Sequence, residues 1–518
     1  MGRTRTENSI RNVATSLGGQ LLNNALRFIC RTVFIYTLGN SYLGISSLYT
    51  NILTLLSISE LGLSTAITFS LYKPLADGDE ATVRSLMAFF KKAYRYVGFA
   101  ILGIGLALIP FLPKLMTGTN DNINIYLYYI LYLTQTVVSY WFFAYKSVLL
   151  AADQQKYIID VVSYVTKISV NIIQILSLVL IRSFLIYTII AILGDIATNI
   201  FVSRAVDKRY TFLRKPAEAL PPDLKKNVFD RTYAMFLYKI GGALGNATDN
   251  LIISAFKGVE MVGLYNNYFL IVQIFQRMMS GVFQSFISSI GNLYVTEGKE
   301  KSWLSFRGIN LLASYLVSML SVCFLVVFQP FIKVWIGEDY LLDNVTMVIV
   351  VANFTTNYLQ SAVQIFKDAS GVFVEGRYRA LVSAVLNLII SIFLTDRIGL
   401  PGVFLGSIIS RMLTAFWYDS WLLCRRAFDK SPAYYYAQYV LSLLLITVIS
   451  GVIFILFSYI PVTGILCVLL RGMAGVIFTT AVFYLIYHKS DEYRYIMDHA
   501  DGIKKKLNGI RKKLTRGK

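Results

Sequence analysis

The sequence predicts an all-α, polytopic membrane protein of about fourteen transmembrane helices. Three observations carry this. Of 518 residues, 56% are hydrophobic and only 15% charged, with a mean hydropathy of +0.59, whereas soluble chains carry roughly 25% charge. Apolar runs of about 20 residues, the length that crosses a bilayer, recur from about residue 13 to about residue 488. Glycines, prolines and charge clusters fall between these runs and separate them. Disorder, secretion and a large soluble domain are excluded.

In chain order the predicted spans are 13–38, 43–72, 93–113, 124–150, 157–181, 183–205, 229–255, 261–292, 308–332, 343–370, 378–397, 401–424, 434–459 and 463–487. The first follows Arg3, Arg5 and Arg11 and is long and studded with polar residues, so it reads as a retained helix rather than a cleaved signal peptide. Tyr434, Tyr435, Tyr436 and Tyr439 open the thirteenth span as an interfacial aromatic belt. Beyond residue 488, Ile503, Leu507, Ile510 and Leu514 recur at helical spacing among lysines and arginines, which predicts a basic amphipathic helix on the inner leaflet.

The formal charge of +20 and pI near 9.6 would suggest nucleic acid in a soluble protein. With the N-terminus inside, five of the 49 basic residues fall in outer loops and seven within spans, leaving 37 on the cytoplasmic side. That asymmetry predicts cytoplasmic N- and C-termini and a topogenic origin for the charge, with membrane lipids rather than nucleic acid as partners. Cys30, Cys323, Cys424 and Cys467 lie singly in apolar stretches and read as small hydrophobes, and His488 and His499 lie at or beyond the end of the last span. No metal site or cofactor is expected.

The loop 206–228 holds Pro216, Pro221 and Pro222 and reads as a linker between two halves. A faint repeat relates them. Gly39, Gly44 and Tyr49 recur as Gly258, Gly263 and Tyr268 at an offset of 219; Gly78, Glu80, Pro110 and Phe111 recur as Gly298, Glu300, Pro330 and Phe331 at 220; Lys146 and Tyr157 recur as Lys367 and Tyr378 at 221. The expected organisation is a six-helix lobe over 1–206, a cytoplasmic linker over 207–228, a second six-helix lobe over 229–430, a further helix pair over 431–488 and the basic tail over 489–518.

Polar residues at membrane depth are costly and mark function. Ser16, Gln20, Asn24, Arg27 and Arg31 keep to one face of the first helix. The offset of 219 carries Gln20, Arg27 and Arg31 onto Lys239, Asn246 and Asn250 of the seventh. The eighth adds Asn266, Gln273, Arg277, Ser280, Gln284 and Ser288, and the second Thr50, Ser57, Ser64 and Thr68 with Glu60 nearby. These four helices can enclose a hydrated cavity that leans cationic, with Glu60 and Asp249 as acids for coupling or ion pairing. Guanidinium groups suit a phosphate or pyrophosphate, and amides and hydroxyls suit sugars.

For Arg27 and Arg31 a structural pair with Glu60 or Asp249 stays open beside ligand contact, and Lys239 can snorkel to the surface. Arg411, Arg471, Lys167, Asp195 and Asp419 read as structural or interfacial. No catalytic constellation, P-loop or long outer loop is present, which argues against an enzyme and against an ATP-driven pump in this chain. The turns Gly39–Gly44 and Gly258–Gly263 read as helix connections.

Residues 8–76, NSIRNVATSLGGQLLNNALRFICRTVFIYTLGNSYLGISSLYTNILTLLSISELGLSTAITFSLYKPLA, resemble the N-terminus of the polysaccharide-transport family, the Wzx-like repeat-unit flippases of the multidrug/oligosaccharidyl-lipid/polysaccharide exporter superfamily. The resemblance implies two six-helix lobes in a V-shaped arrangement plus a C-terminal helix pair. It also implies alternating access and translocation of undecaprenyl-pyrophosphate-linked oligosaccharide from inner to outer leaflet in a bacterial plasma membrane, with a polymerase or other assembly proteins as further partners. Lipid II flippases carry cavity arginines on helices one and eight, where this chain has Arg27, Arg31 and Arg277, and on helix two, where it has none. That departure points away from lipid II and toward a capsule or wall-polysaccharide unit. Pyrophosphate would then meet Arg27, Arg31, Arg277 and Lys239, and the glycan Gln20, Asn24, Asn246, Asn250, Gln273 and Gln284. The alternatives are a cation-coupled multidrug extruder of the same superfamily, a lipid II flippase, and a membrane glycosyltransferase or polymerase.

Overall fold

The computed structural model describes residues 5–57, 60–116, 123–153, 155–284, 290, 298–370, 378–459 and 463–498; within these, the side chains of 5–21, 60–66, 233–247 and several single positions lie outside the description. Every regular element among the described residues is helical. Among the described residues eight helices are long and apolar enough to cross a membrane, which makes the chain a multi-pass membrane protein.

The expected order of spans is kept, and the differences lie at their joints. Spans one and two share one helical path, α1 (Arg5–Leu56), folded at Gly39, where φ is 80° and ψ −176°. Only glycine adopts that backbone without strain. The second span resumes as α2 (Glu60–Asp77), with Pro74 inside it. Next comes α3 (Glu80–Leu108), which starts well before the expected residue 93 because Asp79 caps it, accepting from the Thr82 amide at 2.9 Å and hydroxyl at 2.6 Å. Those two bonds hold the Asp79 carboxyl below the usual carboxylate range.

The fourth span is broken. α4 (Ile125–Trp141) stops before Phe143, whose φ is 62°, and α5 (Ser147–Ala152) resumes beyond it. α6 (Lys156–Leu180) and α7 (Phe184–Arg209) match spans five and six. After a short 3-10 turn over Thr211–Arg214 the linker is extended and exposed, and Pro222 opens α8 (Pro222–Lys257), with proline at a first-turn position that needs no N–H donor. Gly258 (φ 87°) repeats the Gly39 fold between α8 and α9 (Val259–Gln284).

The chain forms two compact units, Met1–Asn266 and Asn267–Lys518. In the first, α8 packs on α1 and α2, so the packing boundary falls one helix later than the expected linker. Two close approaches bring this about: the Val259 backbone lies where a Gly44 side chain would be, and Ser254 donates to the Leu115 carbonyl.

The second unit is built around α10 (Gly298–Trp335). α11 (Asn344–Tyr358) and α12 (Ser361–Ser370) split the tenth span at 359–360. α13 (Arg379–Ile398) is followed by α14 (Leu400–Arg411) and α15 (Trp417–Leu423), each of the latter two leading into a π-helical turn, at Met412–Phe416 and Cys424–Phe428. The last pair, α16 (Ala433–Ser458) and α17 (Gly464–Tyr487), closes the core against α10, with Val322, Val326, Ile446, Ile449, Ile453 and Phe457 all buried. Beyond α17 the chain turns back: Glu492 meets Arg307, and Tyr495 donates to Ser305 at 3.0 Å.

The repeat is visible in the side chains. Tyr49 and Tyr268 are both fully buried. The Tyr49 hydroxyl donates to the Ile125 carbonyl at 2.6 Å, and that of Tyr268 accepts from the Leu342 amide at 3.0 Å and donates to Gln329 at 2.9 Å. Each ties its helix to the segment entering the unit's fourth span.

Candidate functional site

The first unit holds a cavity of about 620 Å³ walled by α1, α4, α6 and α7. Arg27 comes from α1, Gln135 from α4, Lys167 from α6 and Asp195 from α7. Each lies ten to thirteen residues from the helix end nearest Gly39 and Phe184, which at 1.5 Å per residue puts them at one level, about 15 to 20 Å deep. That distance is about half the thickness of a bilayer's apolar core or a little more.

Local sequence explains why four helices deliver these groups together. Lys167, Asn171 and Gln174 follow i, i+4, i+7 spacing, which places them on one face of α6. Gly194 lets α7 approach α6 so closely that a Cβ there would lie 2.3 Å from Val170, and Asp195 follows it. The second arm of α1 adds the hydroxyls of Ser46, Thr50, Thr54 and Ser57. Thr50 and Thr54 donate to the carbonyls four residues before them, so their oxygens keep lone pairs for an incoming donor.

An aromatic cluster closes the end near the Gly39 turn. Phe34, Tyr42, Tyr128, Phe184 and Tyr187 pack with ring centroids 4.6–6.2 Å apart. Within the cavity, Gln135 donates to Asp195 at 2.7 Å and Gln174 to the Tyr187 carbonyl at 3.0 Å. Lys167 acts on Asp195 electrostatically. The lining therefore carries two basic groups, one acidic group and many neutral hydrogen-bonding groups. Such a surface can grip an anion and solvate hydroxyls. Among the described residues no group of three or more His, Cys, Asp or Glu could hold a metal ion.

The site residues read from the sequence divide three ways. Arg27 lines the cavity with Thr50 and Ser57. Arg31 stands beside it, interacting with Arg27 and Tyr187. Asn24 is half-buried and outside the lining, while its neighbour Asn23, one turn before Arg27, is part of it. Asn250 is buried on α8 with its amide oxygen unpartnered, and Asp249 interacts with Tyr265. In the second unit Arg277 is exposed and donates to Gln273 at 3.5 Å. The side chains of Gln20, Glu60, Lys239, Asn246 and Gln284 lie outside the described residues.

Lys167 and Asp195, read from sequence as structural or interfacial, both line the cavity. The signal that could have found them is the polar stripe of α6. Arg411 and Asp419 lie outside that lining and meet side chains of neighbouring helices. Arg411 donates to the Thr356 hydroxyl at 2.8 Å and the Asn353 amide oxygen at 3.0 Å, and Asp419 is paired with Lys367 at 2.9 Å and Arg379 at 2.7 Å.

The fold is that of solved transporters. The lipid II flippase MurJ in an inward closed conformation superposes with a TM-score of 0.66 at 14% identity, over 92% of this chain and 100% of that one. An inward-facing multidrug resistance MATE family transporter of the MOP superfamily gives 0.59 at 11% identity, over 82% and 95%. A Vibrio cholerae MATE transporter gives 0.55 at 14% identity, over 83% and 99%. No curated protein matches at the level of sequence. The profile of the polysaccharide biosynthesis proteins, in contrast, matches residues 9–287, more than half of the sequence, and the chain belongs to that family.

Proposed function

We propose that the protein is a flippase that carries undecaprenyl-pyrophosphate-linked oligosaccharide repeat units from the inner to the outer leaflet of a bacterial plasma membrane by alternating access, with both chain ends on the cytoplasmic side. The observation that carries this reading is the first-unit cavity. At mid-membrane depth it offers Arg27 to an anion and a wall of amides and hydroxyls to a glycan, a lining out of place in lipid unless a polar cargo enters. Membership of the polysaccharide biosynthesis family and the transporter fold support it.

In this reading Arg27, Arg31, Arg277 and Lys239 receive the pyrophosphate. Gln20, Asn24, Asn246, Asn250, Gln273 and Gln284 attend the glycan, and Glu60 and Asp249 balance the cations. The prenyl chain stays in lipid. Outward movement of each negative charge down an inside-negative potential gains about 2.3 kcal/mol per 100 mV, so transport needs no nucleotide.

The test is reconstitution of the purified protein into vesicles with a fluorescent prenyl-pyrophosphate disaccharide, read by an impermeant quencher. Leaflet exchange well above that of protein-free vesicles is expected, and its absence would overturn the reading. Asp195 in the cavity favours one rival, a cation-coupled drug extruder. Drug hypersensitivity of a deletion strain with intact surface glycan would select that rival.

A further inference from the structure

One helix face is covered in the second unit and open in the first. The repeat offset of 220 equates α3 with α10, yet the most apolar stretch of α10 is 61% buried and that of α3 only 22%. In the second unit α17 lies on α10: Tyr315 meets the Thr480 hydroxyl at 3.0 Å and the Phe483 ring at 5.6 Å, and the Cys323 thiol approaches the Gly472 carbonyl at 3.8 Å. Tyr315 and Cys323 correspond to Arg95 and Gly103, both exposed. We propose that the open face of α3 binds an anionic phospholipid of the surrounding leaflet, with its phosphate at Lys91, Lys92 and Arg95 and an acyl chain along Phe99 and Ile104. The site is independent of what the protein carries.

Charge complementarity names the occupant. Lys91, Arg95 and Phe99 follow one another at intervals of four, Lys92 and Gly103 fall within the same arc of about 120°, and all five are exposed. The sequence holds no Asp or Glu between Glu80 and Asp121, α4, which packs on α3, carries no charge, and nearby Lys146 is paired with Asp207. None of the three cations has a carboxylate partner among the described residues. Like charges one turn apart repel, and a phosphate relieves them. A topogenic role needs cations only on one side of the membrane; here they head the arc that continues into exposed apolar residues.

Trp141 marks the level. Gly98 makes room for its indole, since a Cβ there would lie 2.3 Å from Nε1, and the indole donates to the Arg95 carbonyl at 3.4 Å and packs on Phe99 at 4.9 Å. An exposed tryptophan belongs at the membrane–water boundary, which sets Arg95 at headgroup level. From Tyr96 to Leu106 the exposed apolar residues run about 15 Å, half of a bilayer's apolar core. A helix from a second copy or another protein would instead bury Arg95 where α10 has Tyr315, a guanidinium without a counter-ion at a helix contact.

The test uses full-length protein in phosphatidylcholine vesicles that contain photoactivatable phosphatidylglycerol or phosphatidylcholine, matched in acyl chain and mole fraction, and reads the label on residues 91–104 by mass spectrometry. Phosphatidylglycerol is expected to label about fivefold more than phosphatidylcholine, the effect of one well-placed cation. Replacing Lys91, Lys92 and Arg95 together by glutamine should bring the ratio close to one. Replacing Lys215, Lys225 and Lys226, exposed cations in and beside the linker, should leave it unchanged. High salt should lower the wild-type ratio with no substitution at all, and it serves if the first variant does not fold. Equal labelling by the two lipids in the wild type, a preference that survives the first variant, or one lost equally in the second would overturn the anionic-lipid site. Labelling by neither lipid, as when a second copy covers the face, would overturn it as well.

Discussion

Gly44 and Gly263, equivalent positions of the repeat, are each pressed against the other's hairpin. A Cβ on Gly44 would lie 2.0 Å from the Val259 carbonyl oxygen, and one on Gly263 would lie 2.7 Å from that of Asn40. Asn40 and Val259 are themselves 219 residues apart. The two contacts are thus one contact turned about a local twofold, the arrangement of an isologous interface built inside a single chain. Because backbone atoms block both sites, Gly44→Ala and Gly263→Ala should each destabilise the detergent-solubilised protein by about 1–3 kcal/mol, Gly44→Ala the more. Gly451→Ala, which faces open space within α16, should change little. Thermal melting followed by size-exclusion chromatography checks all three.

Two lysines related by the repeat, Lys146 and Lys367, predict unequal losses. Lys367 and Asp419 are paired in the interior with 3% and 5% of their side chains exposed, whereas Lys146 meets an Asp207 that is 38% exposed and has no counterpart at the repeat offset. Asp419→Ala removes the buried carboxylate that both Lys367 and Arg379 meet and should cost about 3–5 kcal/mol. Asp207→Ala should cost about 1 kcal/mol or less, since water screens that partner. A drop in melting temperature at Asp207 as large as that at Asp419 would contradict the burial argument.

Acid should release the segment beyond α17. Burial pushes the Glu492 carboxyl up, but its backbone hydrogen bond and the Arg307 guanidinium, whose Nε donates at 2.7 Å, outweigh burial and hold it below the usual carboxylate range. A carboxyl lowered on folding stabilises above its unfolded pKa, about 4.3 for glutamate, and loses that contribution as pH falls through the lower folded value. The protection of the amides over residues 488–498, the exchange rate of unstructured chain at the same pH divided by the observed rate, should therefore be high and flat from neutral pH to about pH 5 and fall below pH 4. Glu492→Gln should lower that protection at neutral pH and cost about 2 kcal/mol.

Transport itself should depend on the arginines of both units. Each charge-assisted contact to phosphate is worth about 1.5–3 kcal/mol, so Arg27→Ala or Arg277→Ala should each slow export of lipid-linked units by roughly ten- to hundredfold. The double variant should accumulate the intermediate on the inner leaflet. Normal polymer and intermediate levels in that strain would dismiss the cationic site.

The helices are legible in the sequence because apolar length is a one-dimensional property, although among the described residues α3 and α10 begin at Glu80 and Gly298, well before the expected 93 and 308. Their joints are harder, since no glycine or proline marks the breaks near Phe143 and at 359–360. The polar face of the first helix is legible at Arg27, which lines the cavity, yet the lining carries Asn23 rather than Asn24, a difference of one residue and 100°. Lys167 and Asp195 each look isolated in their own helix, so the sequence alone does not bring them together. Only the approach of α6 and α7 at Gly194 puts them in one cavity.

Residues 216–221 between the two halves are without regular structure and largely exposed, while the helix they lead into is already seated on α1 and α2. The connection is therefore a leash and not a strut. A chain nicked there by a protease, or made from the start as two separate polypeptides, should still hold α8 against the hairpin at Gly39, because the grip lies in the glycine crossings and not in the covalent link.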